Sequence, residues 1–301
     1  MATDQVIGID VGGTKILAGL VARDGTIGRT VEVATPGGSG EAVLNAIDGV
    51  VRELVDAQPG AIGIGVPMNL DPRTGIGHRA TNLPLRDVDV AGRVRERSGL
   101  PVGIENDGNA AALAEWRLGA GRGTRDMIAM TLGTGVGGGI VVDDRLYRGW
   151  AELGHIVVDA DGPPCQGNCH GRGHLEAVAS GLAADRAAAE LFGEGADAYV
   201  LVARAREGDR GALAAIERIG HFVGIAIGSL ANVFAPEVFV VGGGFGAAAG
   251  DLLLPAADRT ARREAIDPAD ETLRIVPAEL GDEAGLVGAA LVGFEVLDGV
   301  R

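Results

Sequence analysis

The chain has 301 residues, 47% hydrophobic and 22% charged, and carries a formal net charge of −15. That balance belongs to a folded protein and excludes a disordered one, while the excess of acid opposes a nucleic-acid or anionic-lipid partner. Glycine is the outlier at 51 residues, about 17% against a usual ~7%, and without a Gly-X-Y period it is not collagen-like. No uninterrupted apolar run reaches the roughly 18 residues of a membrane span; the best, Phe222 to Ala235, is broken by Ser229 and Asn232. The first residues lack a basic flank and Asp10 interrupts the apolar stretch behind them, so no signal peptide is expected and the chain reads as cytoplasmic.

In chain order, Val6–Val11 reads as a buried strand, Gly12-Gly13-Thr14 as a turn, and Ile16–Val21 and Ile27–Val33 as further strands of a meander. Val43, Ile47, Val50, Val51 and Leu54 fall at helical spacing within 41–55. Strands follow at Ala61–Val66 and Val102–Glu105, then an alanine-rich helix over Asn109–Leu118 with Asn106 or Asp107 at its cap. A similar order begins again about 120 residues on. Met127–Leu132 is a strand, Gly133-Thr134-Gly135 a turn and Gly138–Val142 a strand; Gly154–Gly173 is a loop dense in Gly, Pro, Cys and His. Helical patterns cover Leu175–Leu191 and Ala212–Phe234, a strand at Val238–Val241 runs into Gly242-Gly243-Gly244, and Ala284–Leu297 is helical. The repetition points to a duplicated nucleotide-binding domain with a cleft between the halves.

Glycine turns between strands can aim backbone N–H groups at one anion and let the chain approach a phosphate closely. Gly12, Gly13, Thr14 and Lys15 form one candidate, with Lys15 the only lysine of the chain beside 25 arginines. Thr131, Gly133, Thr134, Gly135, Gly137 and Gly138 form a second. Asp10, beside the first turn, suits Mg²⁺ held through water. Gly242, Gly243 and Gly244 suit the approach of a flat base or ribose. Neither P-loop nor Rossmann glycine spacing is present, and each turn alone is also ordinary hairpin chemistry.

Glu105-Asn106-Asp107 lies where a strand gives way to a helix, where α/β proteins place ligands; by spacing alone, Asp107 or Asn106 caps that helix. Both cysteines and three of the five histidines fall between His155 and His174. Cys165 and Cys169, with His155 and His174, suit a closed tetrahedral Zn²⁺ site of structural type, and His170 competes for a place among those ligands. A Cys165–Cys169 disulfide is the rival reading, disfavoured where thiols stay reduced.

Taken together, Asp10-Val-Gly-Gly-Thr-Lys15, Glu105-Asn-Asp-Gly-Asn109, Leu132-Gly-Thr-Gly-Val-Gly-Gly138, Glu152-Leu-Gly-His155, the Cys/His loop ending at Glu176, and Pro236-Glu-Val-Phe-Val-Val-Gly-Gly-Gly244 resemble the ROK family of bacterial sugar kinases and repressors, in order and over nearly the whole chain. Within it the likeness is to the glucokinases. The resemblance implies an actin-like (ribonuclease H-like) α/β fold of two domains, one spanning 1–112 plus 283–301 and the other 113–282, with a nucleotide cleft between them. It implies ATP-dependent phosphorylation of a hexose, glucose first, with ATP–Mg²⁺ at the glycine turns, in a homodimer or homotetramer. By the same match, Asp107 is the general base, and Asn82, Asn106, Glu152, His155 and Glu176 contact the sugar. The zinc loop would then serve to carry His155 and Glu176 to that sugar.

The chain departs from the family at three points. His174 stands where the usual zinc pattern has a third cysteine, Met68 follows the Pro of the Gly-x-Pro loop in place of Gly, and Leu85-Arg86 replaces the Gly-Trp that often follows Asn-Leu-Pro. The last two bear on sugar identity, so N-acetylmannosamine, N-acetylglucosamine, fructose, mannose and allose are alternative acceptors. The rival from another class is a sugar-binding regulator without kinase activity. The family's repressors carry a helix-turn-helix ahead of the first strand, which here begins near residue 5.

Overall fold

The computed structural model describes residues 5–80, 82–167 and 169–300. Residues 1–4, part of the N-terminal stretch considered above, and Asn168 of the cysteine loop lie outside the described residues. The chain divides into two units, one of Met1–Leu118, Arg148–Trp150 and Glu283–Arg301, the other of Gly119–Tyr147 and Ala151–Asp282. The first contains β1 (Gln5–Val11), β2 (Lys15–Ala22), β3 (Ile27–Ala34), α1 (Gly40–Leu54), β4 (Ile62–Val66), β5 (Met68–Leu70), β6 (Gly77–Ala80), β7 (Arg86–Val88), α2 (Val90–Ser98), β8 (Val102–Asn106) and α3 (Asp107–Leu118). The second contains β9 (Met127–Leu132), β10 (Val136–Val142), β11 (Arg145–Leu146), α4 (Leu175–Ala179), α5 (Gly181–Phe192), α6 (Ala198–Arg206), α7 (Arg210–Phe234), β12 (Val238–Gly242), α8 (Gly244–Glu264), α9 (Ala269–Thr272) and β13 (Ile275–Pro277). The last helix, α10 (Ala284–Leu297), belongs to the first unit.

Each unit is built on a five-stranded sheet of the same design. The orders are β3-β2-β1-β4-β8 and β11-β10-β9-β12-β13. In both, the hairpin pairs are antiparallel and the two strands on the other side run parallel to the first. The α/β class and the internal duplication expected from the glycine hairpins are therefore both present.

What holds the first unit is a row of glycines. Gly8 of β1 pairs with Gly19 of β2 and Gly63 of β4, and Gly63 pairs in turn with Gly103 of β8. Because side chains alternate across a strand, Ile7 and Ile9 point to the opposite face, into the core that includes Val43, Ile47 and Leu54 of α1. The glycine face receives α10. A Cβ on Gly8 would lie 2.5 Å from the Leu286 carbonyl oxygen, and one on Gly103 would lie 2.9 Å from that of Val292. A side chain anywhere along the row would push the helix away from the sheet. The second unit repeats the device between helices, where Gly220, Gly224 and Gly228 on α7 leave room for the backbone of α8 at Leu253, Ala257 and Ala261.

Several elements differ from the sequence expectation. The helix expected over Leu175–Leu191 is two, because Ser180 is extended and its hydroxyl oxygen accepts the Ala183 N–H at 3.2 Å to start α5. Serine competes for backbone donors in this way and favours caps over helix interiors. The helix over Asn109–Leu118 begins two residues earlier, at Asp107, and α2, α6, α8 and the small β5–β6–β7 sheet were not foreseen. Helix α7 is, by length and composition, apolar enough to cross a membrane, and 56% of its apolar window is buried inside the protein. Ile216, Val223 and Ile227 spend that hydrophobicity on the core of the second unit.

Candidate active site

In the first unit, β1 and β8 end at two carboxylates. Asp10 lies one pleat beyond Gly8, on the face that receives α10, and a Cβ on Gly285 at the start of α10 would lie 2.5 Å from the Asp10 carboxylate. Burial raises the Asp10 carboxyl to about 6, the negative charge of Asp107 adds to the rise, and Lys15 opposes it. Asp107 is itself raised by burial, against hydrogen bonds from the Gly108 and its own backbone N–H and from Asn106. Two half-buried acids that repel one another in this way form a site that favours a bound cation.

The helix-cap reading of Asp107 fails on geometry. The Asn109 N–H is taken by Asn106 Oδ1 at 3.2 Å, the bond an N-cap residue makes. Asp107 Oδ1 accepts the neighbouring Gly108 N–H, at 2.9 Å, and not the Asn109 N–H that a cap would take. Asn106 therefore serves as cap, with its amide also reaching the Met68 carbonyl oxygen at 3.5 Å. Behind it stands Glu105, which sequence reasoning passed over as part of a motif. Its buried carboxylate accepts the Asn106 N–H and Asn109 Nδ2, each at 3.1 Å, and Arg148 Nε at 3.3 Å. A glutamate four residues before its amide partner Asn109 and 43 before its arginine leaves no local signature.

At the first glycine turn, Gly12 N–H is spent on the Lys15 carbonyl oxygen at 2.9 Å and its own carbonyl oxygen accepts Thr35 Oγ1 at 2.7 Å. That N–H is thus part of the turn's closure. Gly13 and Thr14 are exposed, and Asn82 stands against Gly13, its Cβ 3.4 Å from where a Gly13 Cβ would be. Lys15 pairs with Glu32 at 2.9 Å, both side chains more than half exposed, an ion pair weak enough for an incoming anion to displace.

In the second unit, Gly133 N–H closes its turn on the Gly135 carbonyl oxygen at 3.0 Å, leaving Thr134 exposed at the tip. Thr131 sits beneath it, opposite Gly137 and beside Gly242. Glu176, expected on the sugar side, has its carboxylate packed on Gly135 and accepts the Val136 N–H at 3.1 Å. Gly243 combines a φ of +81° with a Cβ position 2.7 Å from the Leu132 backbone, so only glycine fits. It caps α8, and with Gly242, Gly246, Pro277, Ala278 and Gly281 it lines a cavity of about 700 Å³. Gly244 is open, with no atom within 4 Å of its Cβ position.

His155, Cys165, Cys169 and His174 converge, their donor atoms all within 4.8 Å of one another. The two Nδ1 atoms are 3.3 Å apart, Cys169 Sγ is 3.4 Å from His174 Nδ1, and Cys165 Sγ is 3.7 Å from His155 Nδ1. A tetrahedron with ordinary Zn–N and Zn–S bonds has edges of about 3.3 Å and about 3.6 Å, so the donor set fits zinc. Both cysteines are free thiols, which removes the disulfide reading, and exposed His170 stands outside the cluster. The Gly171 N–H points to Cys169 Sγ at 3.4 Å, the kind of outer bond that steadies a thiolate ligand. His155 and His174 both turn Nδ1 inward, leaving His155 Nε2 on the far side of its ring. Glu152, two residues before the short 3₁₀ turn's midpoint at Gly154, is exposed.

The Asp10 shift predicts a stability effect whose sign can be worked out. Above about pH 6 the carboxyl is ionised in both folded and unfolded chains and the folded state bears the full penalty; below about pH 4 it is protonated in both and the penalty vanishes. Asp10→Asn therefore melts at a higher temperature than the wild type at pH 7.5, by an amount worth up to about 3 kcal/mol, and the difference closes between pH 6 and pH 4. Thermal unfolding of both proteins across that range, without nucleotide, checks it; equal melting at pH 7.5 would mean that Asp10 carries no penalty.

The ROK family model matches residues 6–294. A glucokinase of Thermotoga maritima is 37% identical, the alignment covering 98% of this chain and 99% of the relative. An N-acetylmannosamine kinase of Shigella boydii is 34% identical, over 95% of this chain and 97% of that protein. Among solved structures, a ROK family glucokinase from Streptomyces griseus in complex with glucose and AMPPNP is 36% identical and superposes with a TM-score of 0.85 over 97% of this chain and 99% of its own.

Proposed function

The chain belongs to the ROK family, and we propose that within it this protein is a sugar kinase that transfers the terminal phosphoryl group of ATP to a hexose, with glucose as the acceptor. The observation that carries the assignment is Asp107: a carboxylate raised by burial, beside a second acid, and not consumed by the helix it begins. Such a group accepts the proton of an attacking hydroxyl as the oxygen bonds to the γ-phosphorus and the bond to the ADP oxygen breaks. The proton then resides on Asp107 Oδ and leaves to water with the product. Glucose is preferred because the glucokinase relatives, at 34–37% identity, reach above the N-acetylmannosamine kinases, at 33–34%.

The remaining residues take roles that their settings suit. Asp10 would hold Mg²⁺, which neutralises phosphate charge when bound and would relieve the repulsion from Asp107. Gly13, Thr14 and Lys15 in one unit and Thr131, Gly133, Thr134 and Gly135 in the other receive phosphate groups, and the cavity at Gly242–Gly244 receives the base. Asn82, Asn106, Glu152, His155 and Glu176 bind or orient the sugar, with Asn106 also fixing the start of α3. His155, Cys165, Cys169 and His174 would hold a structural zinc.

The experiment is a coupled ADP-release assay over a panel of hexoses and N-acetylhexosamines. The reading expects the largest kcat/KM for glucose. A larger value for N-acetylmannosamine would move the assignment to that kinase class, and sugar binding with no turnover on any member would favour the regulator.

A further inference from the structure

The Cys/His loop touches the second glycine turn through three separate bonds. Gln166, next to ligand Cys165, reaches the Thr134 carbonyl oxygen with Nε2 at 3.4 Å. Glu176, two residues past ligand His174, accepts the Val136 N–H at 3.1 Å and packs on Gly135. Gly181, at the start of α5, donates its N–H to the Gly133 carbonyl oxygen at 2.7 Å. Ser180, which caps α5, lies 3.5 Å from Gln166 Nε2 and so joins the first contact to the third. Residues 133, 134 and 136 are thus each held by a group whose place depends on the path from Cys165 to Ser180.

Backbone bonds from Val158 and Asp159 N–H to the Gly173 carbonyl oxygen and from Leu175 N–H to that of Ile156 tie the path to the chain ahead of it. Within the loop, Cys165 N–H bonds to the Gly171 carbonyl oxygen at 2.9 Å, Cys169 N–H to that of Gln166 at 3.4 Å and Gly173 N–H to that of Pro163 at 2.8 Å, while the ligands Cys165, Cys169 and His174 are each only half-buried. A short, glycine-rich segment with a small core is the kind that a bound metal orders. The turn closes on its own Gly133 N–H to Gly135 bond, and the outer contacts hold that closed turn against the loop.

We propose that the metal-binding loop acts as a scaffold for the second glycine turn, so that metal occupancy, read through Gln166 and Glu176, sets the protein's affinity for nucleotide. Gln166 is then a positioning residue for the phosphate-binding backbone. The proposal rests on the reading that this turn receives nucleotide phosphates. It differs from the sugar-side role expected from the sequence, because the contacts run to the turn.

The test measures binding of a non-hydrolysable ATP analogue with Mg²⁺ by calorimetry on the full chain. Four samples are compared: zinc-loaded wild type, chelator-treated wild type before and after zinc is restored, Gln166→Leu with its zinc content measured, and Gly135→Val. Metal removal is expected to weaken analogue binding on the order of tenfold, reversibly. Gln166→Leu, which keeps all four ligands, is expected to weaken it about threefold at full zinc content. Should chelation unfold the chain, as circular dichroism would reveal, the Gln166→Leu result decides alone. Unchanged affinity in both the metal-free and Gln166→Leu proteins, with Gly135→Val impaired, would overturn the scaffold role and leave the phosphate turn standing. Unchanged affinity in Gly135→Val would overturn the phosphate reading itself.

Discussion

Asp107→Asn is expected to lower kcat by about 10²–10⁴ while leaving the melting temperature and sugar affinity near those of the wild type. The separation follows from how α3 starts. The cap bond to the Asn109 N–H comes from Asn106, so the helix keeps its start when Asp107 changes. The bond that Asp107 Oδ1 accepts from the Gly108 N–H at 2.9 Å can be accepted by an asparagine oxygen as well. Only the capacity to take a proton is lost. Removing a half-buried charge beside Asp10 also relieves repulsion, so any change in stability should be a small gain. Steady-state kinetics, sugar titration and thermal unfolding on this one variant check the set. A kcat within threefold of wild type would mean that the base lies elsewhere.

Gly63→Ala is expected to cost about 3 kcal/mol or more and to deplete the yield of folded protein, although it adds only one methyl group. Gly63 sits at the centre of the glycine row, between Gly8 and Gly103. Its Cβ would run into the Ala289 carbonyl oxygen and lie 2.5 Å from the Gly293 nitrogen. Both are helix backbone, which cannot rotate aside as a side chain can, so α10 would have to leave the sheet. Because α10 also packs on α3 at Gly288 and Ala110 and begins beside Asp10, the displacement would reach both carboxylates. Gly49→Ala is the control: it lies within α1 with no atom within 4 Å of its Cβ position, and alanine there should gain up to about 1 kcal/mol. Thermal unfolding of the two variants tests the contrast, and similar melting temperatures would refute the account of the row.

The strands at Val6–Val11, Ala61–Val66 and Met127–Leu132 were legible because parallel, doubly covered strands read as continuous apolar runs. The glycine hairpins after two of them exposed the duplication. The β5–β6–β7 sheet was not legible, because strands of three and four residues are too short to establish alternation. Helix α8 hid behind small residues, Gly244 to Gly250 being Gly, Ala and one Phe, with Pro255 inside it. At the site, sequence brought His155, Cys165, Cys169 and His174 together by composition alone, but spacing could not separate His174 from His170. The bend at Gly171 does so, since the His174 ring lies against that glycine. Asn106 and Asp107 were interchangeable as caps until the direction of one side chain was known. Glu176 lies 40 residues from the backbone N–H it accepts, a distance over which sequence carries no geometric information.

Phosphoryl transfer to a hexose with Asp107 as the base is tested most directly by phosphorus NMR of the protein incubated with ATP, Mg²⁺ and glucose. The account predicts that ATP resonances give way to those of ADP together with one sugar phosphate monoester in equal amount, and that Asp107→Asn leaves the spectrum almost unchanged over the same time. Sugar binding without any phosphate monoester, from glucose or from the other hexoses of the panel, would contradict it.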